Sequence, residues 1–214
     1  IDMGEEKGCH KPDCYVGCDC ERYLEFWNLV FNEFFQDTDG KLSPLQNVGI
    51  DTGMGLERLC YIMQGAESNY QTDVMKPIVD SIIKKLNIKY EDKNKTKINL
   101  IADHLRALVF VIGEGCIPSN EGRGYVLRRL LRRALKTAND FCYKNAFLNE
   151  ITDSVINVYG CIYDNLPKEE NNIKRILKEE ENKFINTISA GINKLYSVME
   201  DSKDKIIKGS DAFM

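Results

Sequence analysis

Asp51-Thr52-Gly53-Met54-Gly55-Leu56-Glu57-Arg58 places two glycines and an acid-arginine pair between a strand-like run and a helical one. Without a Cβ, Gly53 and Gly55 let backbone N–H groups approach a flat or phosphorylated ligand closely, and they permit a sharp turn. Leu56, Leu59, Cys60 and Met63 then recur at helical spacing. That spacing predicts a helix whose first N–H groups and positive dipole end suit an anion. Arg58 falls in its first turn, where a planar guanidinium can hold a phosphate bidentately, a charge-assisted contact worth about 1.5–3 kcal/mol. Asp51, near the end of the preceding strand, suits a substrate ammonium. The same residues also read as a plain strand-to-helix turn with a capping Asp, because short glycine motifs match widely. The surrounding sequence has to decide between a nucleotide site and a turn.

Upstream, Tyr23 to Phe35 is rich in aromatic and β-favouring residues and is followed by Thr38-Asp39-Gly40, which predicts a hairpin. Alternation puts Glu25, Trp27, Leu29 and Phe31 on one face and Phe26, Asn28, Val30 and Asn32 on the other. The second, mixed face either lines a small pocket or lies half-solvated on the sheet. From Thr72 onward the pattern is helical, over roughly 73–87, 95–113, 120–139, 144–164 and 168–200, with Lys84 to Lys97 reading as a polar linker. The expected class is therefore α+β: an antiparallel sheet in the N-terminal third, then a mainly α-helical part.

The chain has 214 residues, 43% apolar and 29% charged, with a formal net charge of −4. This is an ordinary globular composition with enough length for a core. No apolar run is long enough for a transmembrane helix, and no secretion signal is legible. A cytoplasmic location is expected, and the start at Ile1-Asp2 reads as an internal fragment.

Eight cysteines fall into two groups. Cys60, Cys116, Cys142 and Cys161 are scattered through apolar patterns and are expected in the core. Cys9, Cys14, Cys18 and Cys20 crowd into Gly8-Cys9-His10-Lys11-Pro12-Asp13-Cys14-Tyr15-Val16-Gly17-Cys18-Asp19-Cys20, a polar loop broken by Gly and Pro. In a reducing compartment such a loop suits tetrahedral Zn²⁺, held by the four thiolates or with His10 replacing one. Free surface thiols or disulfides formed on isolation are the alternatives.

Pro118-Ser119-Asn120-Glu121-Gly122-Arg123-Gly124 opens a second informative segment. On a helix, Val126, Leu127, Leu130, Leu131, Ala134 and Leu135 occupy one half-turn, while Arg128, Arg129, Arg132, Arg133 and Lys136 occupy the other. Neighbouring like charges destabilise a helix unless a polyanion or an acidic neighbour offsets them. The face thus points to nucleic acid or to an acidic partner within the chain. Asn120 and the Gly-Arg-Gly entry would offer amide and backbone groups to base edges or 2′-OH groups. His104, beside Asp103 and without a nucleophile at suitable spacing, reads as a packing histidine. The run Lys178-Glu179-Glu180-Glu181-Asn182-Lys183 reads as a solvated helix face with i,i+4 pairs, or as the complement of the arginines.

Taken in order, Glu25 to Phe31, Asp51 to Arg58, Ser68-Asn69-Tyr70, Ile101 to Arg106 and Pro118 to Ala134 resemble the alanyl-tRNA synthetases over essentially the whole chain. The resemblance implies a class II synthetase, which activates alanine with ATP and Mg²⁺ to alanyl-adenylate and then charges tRNA(Ala). It implies a C-terminal part of the catalytic domain at 1–68 and the helical tRNA-recognition domain at 69–214. Carried over by residue, Asp51 would bind the alanine ammonium, with Asn28, Val30 and Gly53 shaping the pocket. Gly55, Glu57 and Arg58 would bind ATP, Arg58 as the catalytic arginine of the third class motif. Asn120 would read the wobble pair of the acceptor stem, with Arg123, Arg128, Arg129, Arg132 and Arg133 on the RNA. The Cys9 to Cys20 loop resembles an insertion found in some members only.

In the family the first two class motifs lie upstream of the segment matching Ile1. An aspartate-containing recognition segment and an editing domain follow the one matching Met214. The resemblance therefore implies that this stretch alone does not make adenylate. The second possibility is a stand-alone RNA-binding protein derived from a synthetase. It would keep the basic helix but has no need of Asp51 and Arg58, and both are present.

Overall fold

The computed structural model describes residues 1–201 and Gly209, so the expectation attached to Met214 lies outside the described residues. The architecture is α+β, a two-stranded antiparallel sheet and six α-helices among the described residues, organised as two compact units, Ile1–Thr72 and Asp73–Met214.

The first unit holds β1 (Trp27–Gln36), β2 (Leu42–Met54) and α1 (Leu56–Gln64). The expected hairpin forms. Its turn is closed by the Asp37 carboxylate, which accepts from the Asp39 and Lys41 amides at 3.0 and 2.8 Å. The strand begins later than its composition predicts, since Tyr23 makes only an isolated bridge to Asp2. The register shifts between Asn32 and Phe34. No residue of β1 is buried, and Tyr61 and Thr72 are the only buried side chains in the unit. A hairpin this apolar, with Trp27, Leu29, Phe31, Phe34 and Phe35 all exposed, has little means of stabilising itself alone.

The second unit is helical: α2 (Lys76–Leu86), α3 (Asp92–Gly113), α4 (Gly122–Asn139), α5 (Thr152–Tyr159) and α6 (Asn165–Asp201). Its centre is α3, which contacts all four other helices and buries Ile98, Ile101, Ala102, Leu105, Leu108, Val109 and Ile112. These positions cover more than one face, as a helix enclosed by neighbours requires. Two sequence expectations change here. Lys84 to Lys97 is mostly helical, because α2 runs to Leu86 and α3 starts at Asp92. The helix expected over 144–164 is reduced to a 3₁₀ turn at Leu148–Glu150 and the short α5.

The scattered cysteines also depart from expectation. Cys60 and Cys116 are half-buried, and Cys142 and Cys161 are exposed. Cys142 ends a turn at φ 61 rather than facing a core. His104 is buried on α3, as its packing role predicts. Among the described residues, no helix is long and apolar enough to cross a membrane.

Candidate functional site

Strand register assembles the first site. Asn28 lies opposite Gly53 and Val30 opposite Asp51. Directly opposed residues project from the same face with Cβ atoms about 4.5–5.5 Å apart, so the four residues expected to hold an amino acid form one contiguous patch. The opposite face carries Trp27, Leu29, Phe31, Ile50 and Thr52. There the Trp27 indole N–H donates to Thr52 Oγ1 at 2.5 Å, and the Thr52 hydroxyl donates to the Asn28 carbonyl at 3.1 Å. That second bond fixes the backbone under the patch without using the Asn28 amide.

The two glycines act differently from the sharp turn their sequence suggests. Gly53 is inside β2, and Gly55 caps α1 with extended φ −74 and ψ 113. Neither needs left-handed backbone. A Cβ on Gly53 would meet nothing within 4 Å in this chain, so the missing side chain leaves open floor beside Asn28 and Asp51. The Gly55 amide donates to the Phe26 carbonyl at 2.9 Å, which seats the start of α1 against the start of β1. Arg58, in the first turn, donates to the Glu25 carbonyl, and Asn28 donates to the Glu25 carboxylate at 3.4 Å. Glu25 thereby links the amino-acid patch to the arginine expected to hold phosphates. The helical spacing that predicted α1 was right about the element and wrong about its buried side. Tyr61 is buried, while Leu56 and Met63 are exposed.

The cysteine loop supplies a second candidate site. All four ligand sulfurs, Cys9, Cys14, Cys18 and Cys20, lie within 4.8 Å of one another. The Cys9–Cys18 and Cys14–Cys20 separations are each 3.7 Å. A tetrahedron with Zn–S bonds of about 2.3 Å has S···S edges of about 3.8 Å, whereas a disulfide needs about 2.05 Å. The spacing fits four thiolates around one ion. His10 is exposed at φ 56 and stands outside this cluster. The main-chain N–H of Arg22 brings the Cys20 thiol down to about 7, which favours the ligating thiolate. Desolvation and the neighbouring Cys20 and Cys9 thiols push Cys14 up to about 11, a penalty a cation would reverse.

The basic helix forms the third. Gly122 starts α4 at φ 58, in left-handed backbone. A Cβ on Gly124 would collide with the Ile117 carbonyl and Ser119 Oγ. Gly-Arg-Gly thus lets the loop carrying Asn120 fold tightly onto the helix. The buried stripe is Gly124, Leu127, Leu131, Ala134, Leu135 and Ala138, whereas Val126, expected in the core, is exposed.

The five arginines divide into two held against α6 and three left exposed. Arg128 makes a bidentate ion pair with Glu180 on α6, at 2.6 and 3.1 Å, and donates to the Asn120 side-chain carbonyl. Arg132 lies over the Phe184 ring at 5.2 Å. Arg123, Arg129, Arg133 and Lys136 remain exposed. The acidic run is likewise only partly a solvated face. Glu179 pairs with Arg175 at 2.9 Å, but Glu180 and Glu181 are buried. Glu181 accepts the Phe147, Leu148 and Asn149 amides at 2.9, 2.8 and 3.2 Å, a role invisible in sequence because the donors lie more than thirty positions away.

Comparison with known proteins identifies the family of the chain. The model of the family described as tRNA synthetases class II (A) matches residues 1–214. An alanine–tRNA ligase of Clostridioides difficile is 45% identical over 218 aligned residues, all of this chain and 25% of that protein. An alanine–tRNA ligase of Carboxydothermus hydrogenoformans is 46% identical over 202, or 94% of the chain and 23% of the relative. That of Pelotomaculum thermopropionicum is 40% identical across the whole chain. The chain spans about a quarter of the length of the curated relatives it matches. It belongs to the class II (A) tRNA synthetases.

Proposed function

We propose that this chain is the part of an alanine–tRNA ligase that carries half of the aminoacylation site, residues 1–68, followed by the helical tRNA-recognition domain, residues 69–214. The observation that carries this reading is the cross-strand patch of Asn28, Val30, Asp51 and Gly53, joined through Glu25 to Arg58. Asp51 takes the ammonium, and Asn28, Val30 and Gly53 shape the small amino-acid pocket. Gly55, Glu57 and Arg58 receive ATP, which arrives as its Mg²⁺ complex. The alanine carboxylate attacks the α-phosphorus, pyrophosphate leaves, and the terminal tRNA hydroxyl then displaces AMP from the alanyl-adenylate. The residues named here act by positioning and by charge, with no covalent step on the protein.

The four-cysteine loop holds a structural Zn²⁺ in the same reading, supported by the 3.7 Å sulfur separations. The ion supplies closure of a loop without a core of its own.

On the RNA side, Asn120 reads the acceptor stem, Arg123, Arg129 and Arg133 contact its backbone, and Arg128 and Arg132 hold the helix on α6. Changing both Arg129 and Arg133 to alanine is expected to weaken binding of an acceptor-stem minihelix about tenfold at 0.1 M salt. It should also flatten the slope of log K against log salt by about 1–2. Filter binding across a salt series measures this, and unchanged affinity and slope would remove the exposed pair from the interface.

The 214-residue chain by itself is expected to give no ATP–pyrophosphate exchange, because the described sheet consists of one hairpin with its apolar faces exposed. Substituted for the matching quarter of the C. difficile ligase, the same stretch should restore exchange with alanine. Exchange by the isolated chain, or an inactive but folded chimera, would each contradict the assignment.

A further inference from the structure

Beside Arg58 lies a cleft of about 850 Å³, lined on one side by Val16, Cys18 and Asp19 of the cysteine loop and on the other by Glu25, Trp27 and Arg58. The cysteine loop is therefore a wall of the space next to the phosphate-binding arginine. Nothing apolar holds that wall in place. No residue from Cys9 to Cys20 is buried, and Tyr15 and Val16 are 65% and 78% exposed. Its internal main-chain bonds are two isolated turns, Cys14 to Lys11 and Cys18 to Tyr15.

Both ends of the loop are anchored. Before it, Lys7 donates to the Tyr61 hydroxyl at 2.5 Å and lies over the same ring. Tyr61 sits one turn along α1 from Arg58. After it, Arg22 pairs with Asp2 at 3.1 Å, and the Arg22 carbonyl accepts from Met3. Between these anchors the sulfur cluster is what gathers the segment, and Cys18 belongs both to the cluster and to the cleft lining.

We infer that the ion held by Cys9, Cys14, Cys18 and Cys20 sets the cleft wall that faces Arg58, so that metal occupancy and nucleoside triphosphate binding at Arg58 are linked. This rests on the reading that the loop takes Zn²⁺ and that Arg58 takes phosphates. Linkage is reciprocal, so the nucleotide also tightens binding of the metal by the same factor. No electron transfer is involved; the ion acts through loop geometry alone.

Trp27, the only tryptophan in the chain, lines the cleft and reports on it directly. The reduced 214-residue chain should hold one zinc by elemental analysis. Cobalt substituted for zinc should show the thiolate-to-metal and ligand-field absorption of a tetrahedral four-sulfur site. Stripping the metal with a chelator should shift Trp27 emission and raise the Mg²⁺–ATP concentration at half-quench about tenfold, within the usual range of coupling between sites. Adding zinc back should reverse both. Cys14→Ser should reproduce the stripped state without chelator, and Cys14→His, which keeps four ligands, should retain metal and ATP response. Far-UV dichroism, together with the protease resistance of residues 1–72, separates these effects from unfolding of either unit.

One zinc per chain with Trp27 emission and ATP midpoint unchanged on stripping would overturn the linkage while leaving the metal reading intact. Metal-dependent emission with no ATP response in the zinc-loaded chain would overturn the nucleotide side, and with it the linkage. Zinc content near zero under reducing conditions would overturn both the metal site and the linkage.

Discussion

Asp51→Ala, placed in a ligase carrying this 214-residue stretch, is expected to lower alanine-dependent ATP–pyrophosphate exchange by about 100-fold or more. Truncating one partner of a desolvated, hydrogen-bonded charge pair costs about 2–5 kcal/mol, and each 1.4 kcal/mol is about tenfold. Asp51 suits this role because it stands on the same face as Val30, Asn28 and Gly53, and among the described residues no hydrogen bond or ion pair is seen to engage its carboxylate. The substrate feature it would hold is the ammonium, common to alanine, glycine and serine, so the loss should fall on all three alike. Gly53→Ala separates charge from shape. Its added methyl meets no atom of this chain within 4 Å, so the hairpin should fold, yet the methyl would fill the floor of the proposed pocket and should penalise alanine more than glycine. Steady-state exchange with the three amino acids reads both effects. Full activity in Asp51→Ala would sink the ammonium assignment.

The legibility of this fold from sequence followed the range of the forces involved. The β1–β2 hairpin was readable because alternation and a Thr-Asp-Gly turn are local signals, and α1 and α4 because apolar spacing is local as well. The proposed amino-acid patch needed one further step, the register, which pairs Asn28 with Gly53 and Val30 with Asp51. The family resemblance supplied those residues before the pairing was known. What sequence concealed was long-range. The acidic run from Lys178 to Lys183, flanked by lysines at i,i+4 spacing, looks like a solvent face. Glu180 and Glu181 are instead drawn inward by an arginine 52 positions away and by amides up to 34 positions away. The same long-range pairing divides the basic helix, where Arg128 looks no different from Arg129 until α6 is placed beside it. The helix expected over 144–164 failed for a related reason. Its N-terminal turn is held in 3₁₀ geometry by Glu181, so the local apolar pattern was overruled from a distance.

Glu181→Ala is expected to be the most damaging single substitution for the helical unit. Three main-chain N–H groups, those of Phe147, Leu148 and Asn149, lose their acceptor, and Phe147 and Leu148 are fully buried. Each unsatisfied buried donor costs about 1–3 kcal/mol. With partial relief by water at half-buried Asn149, the net loss should be about 3–5 kcal/mol, seen as a fall in thermal midpoint of roughly 10 °C. Glu181→Gln should lose less. Its carbonyl oxygen can still accept from Phe147 and Leu148, while its amide meets the Asn149 N–H donor to donor. The pH dependence distinguishes a charged acceptor from a merely polar one. Burial raises the Glu181 pKa, opposed by the Phe147, Leu148 and Asn149 amides. Because the folded value lies above the unfolded one, the contribution of this carboxyl is fully present below the unfolded pKa and is lost as pH rises through the folded pKa. The stability difference between wild type and Glu181→Gln should therefore move in favour of wild type as pH falls from neutrality toward the ordinary glutamate range. Denaturant melts of both proteins at several pH values measure this difference. A flat difference, or one moving the other way, would show that burial does not control this carboxylate.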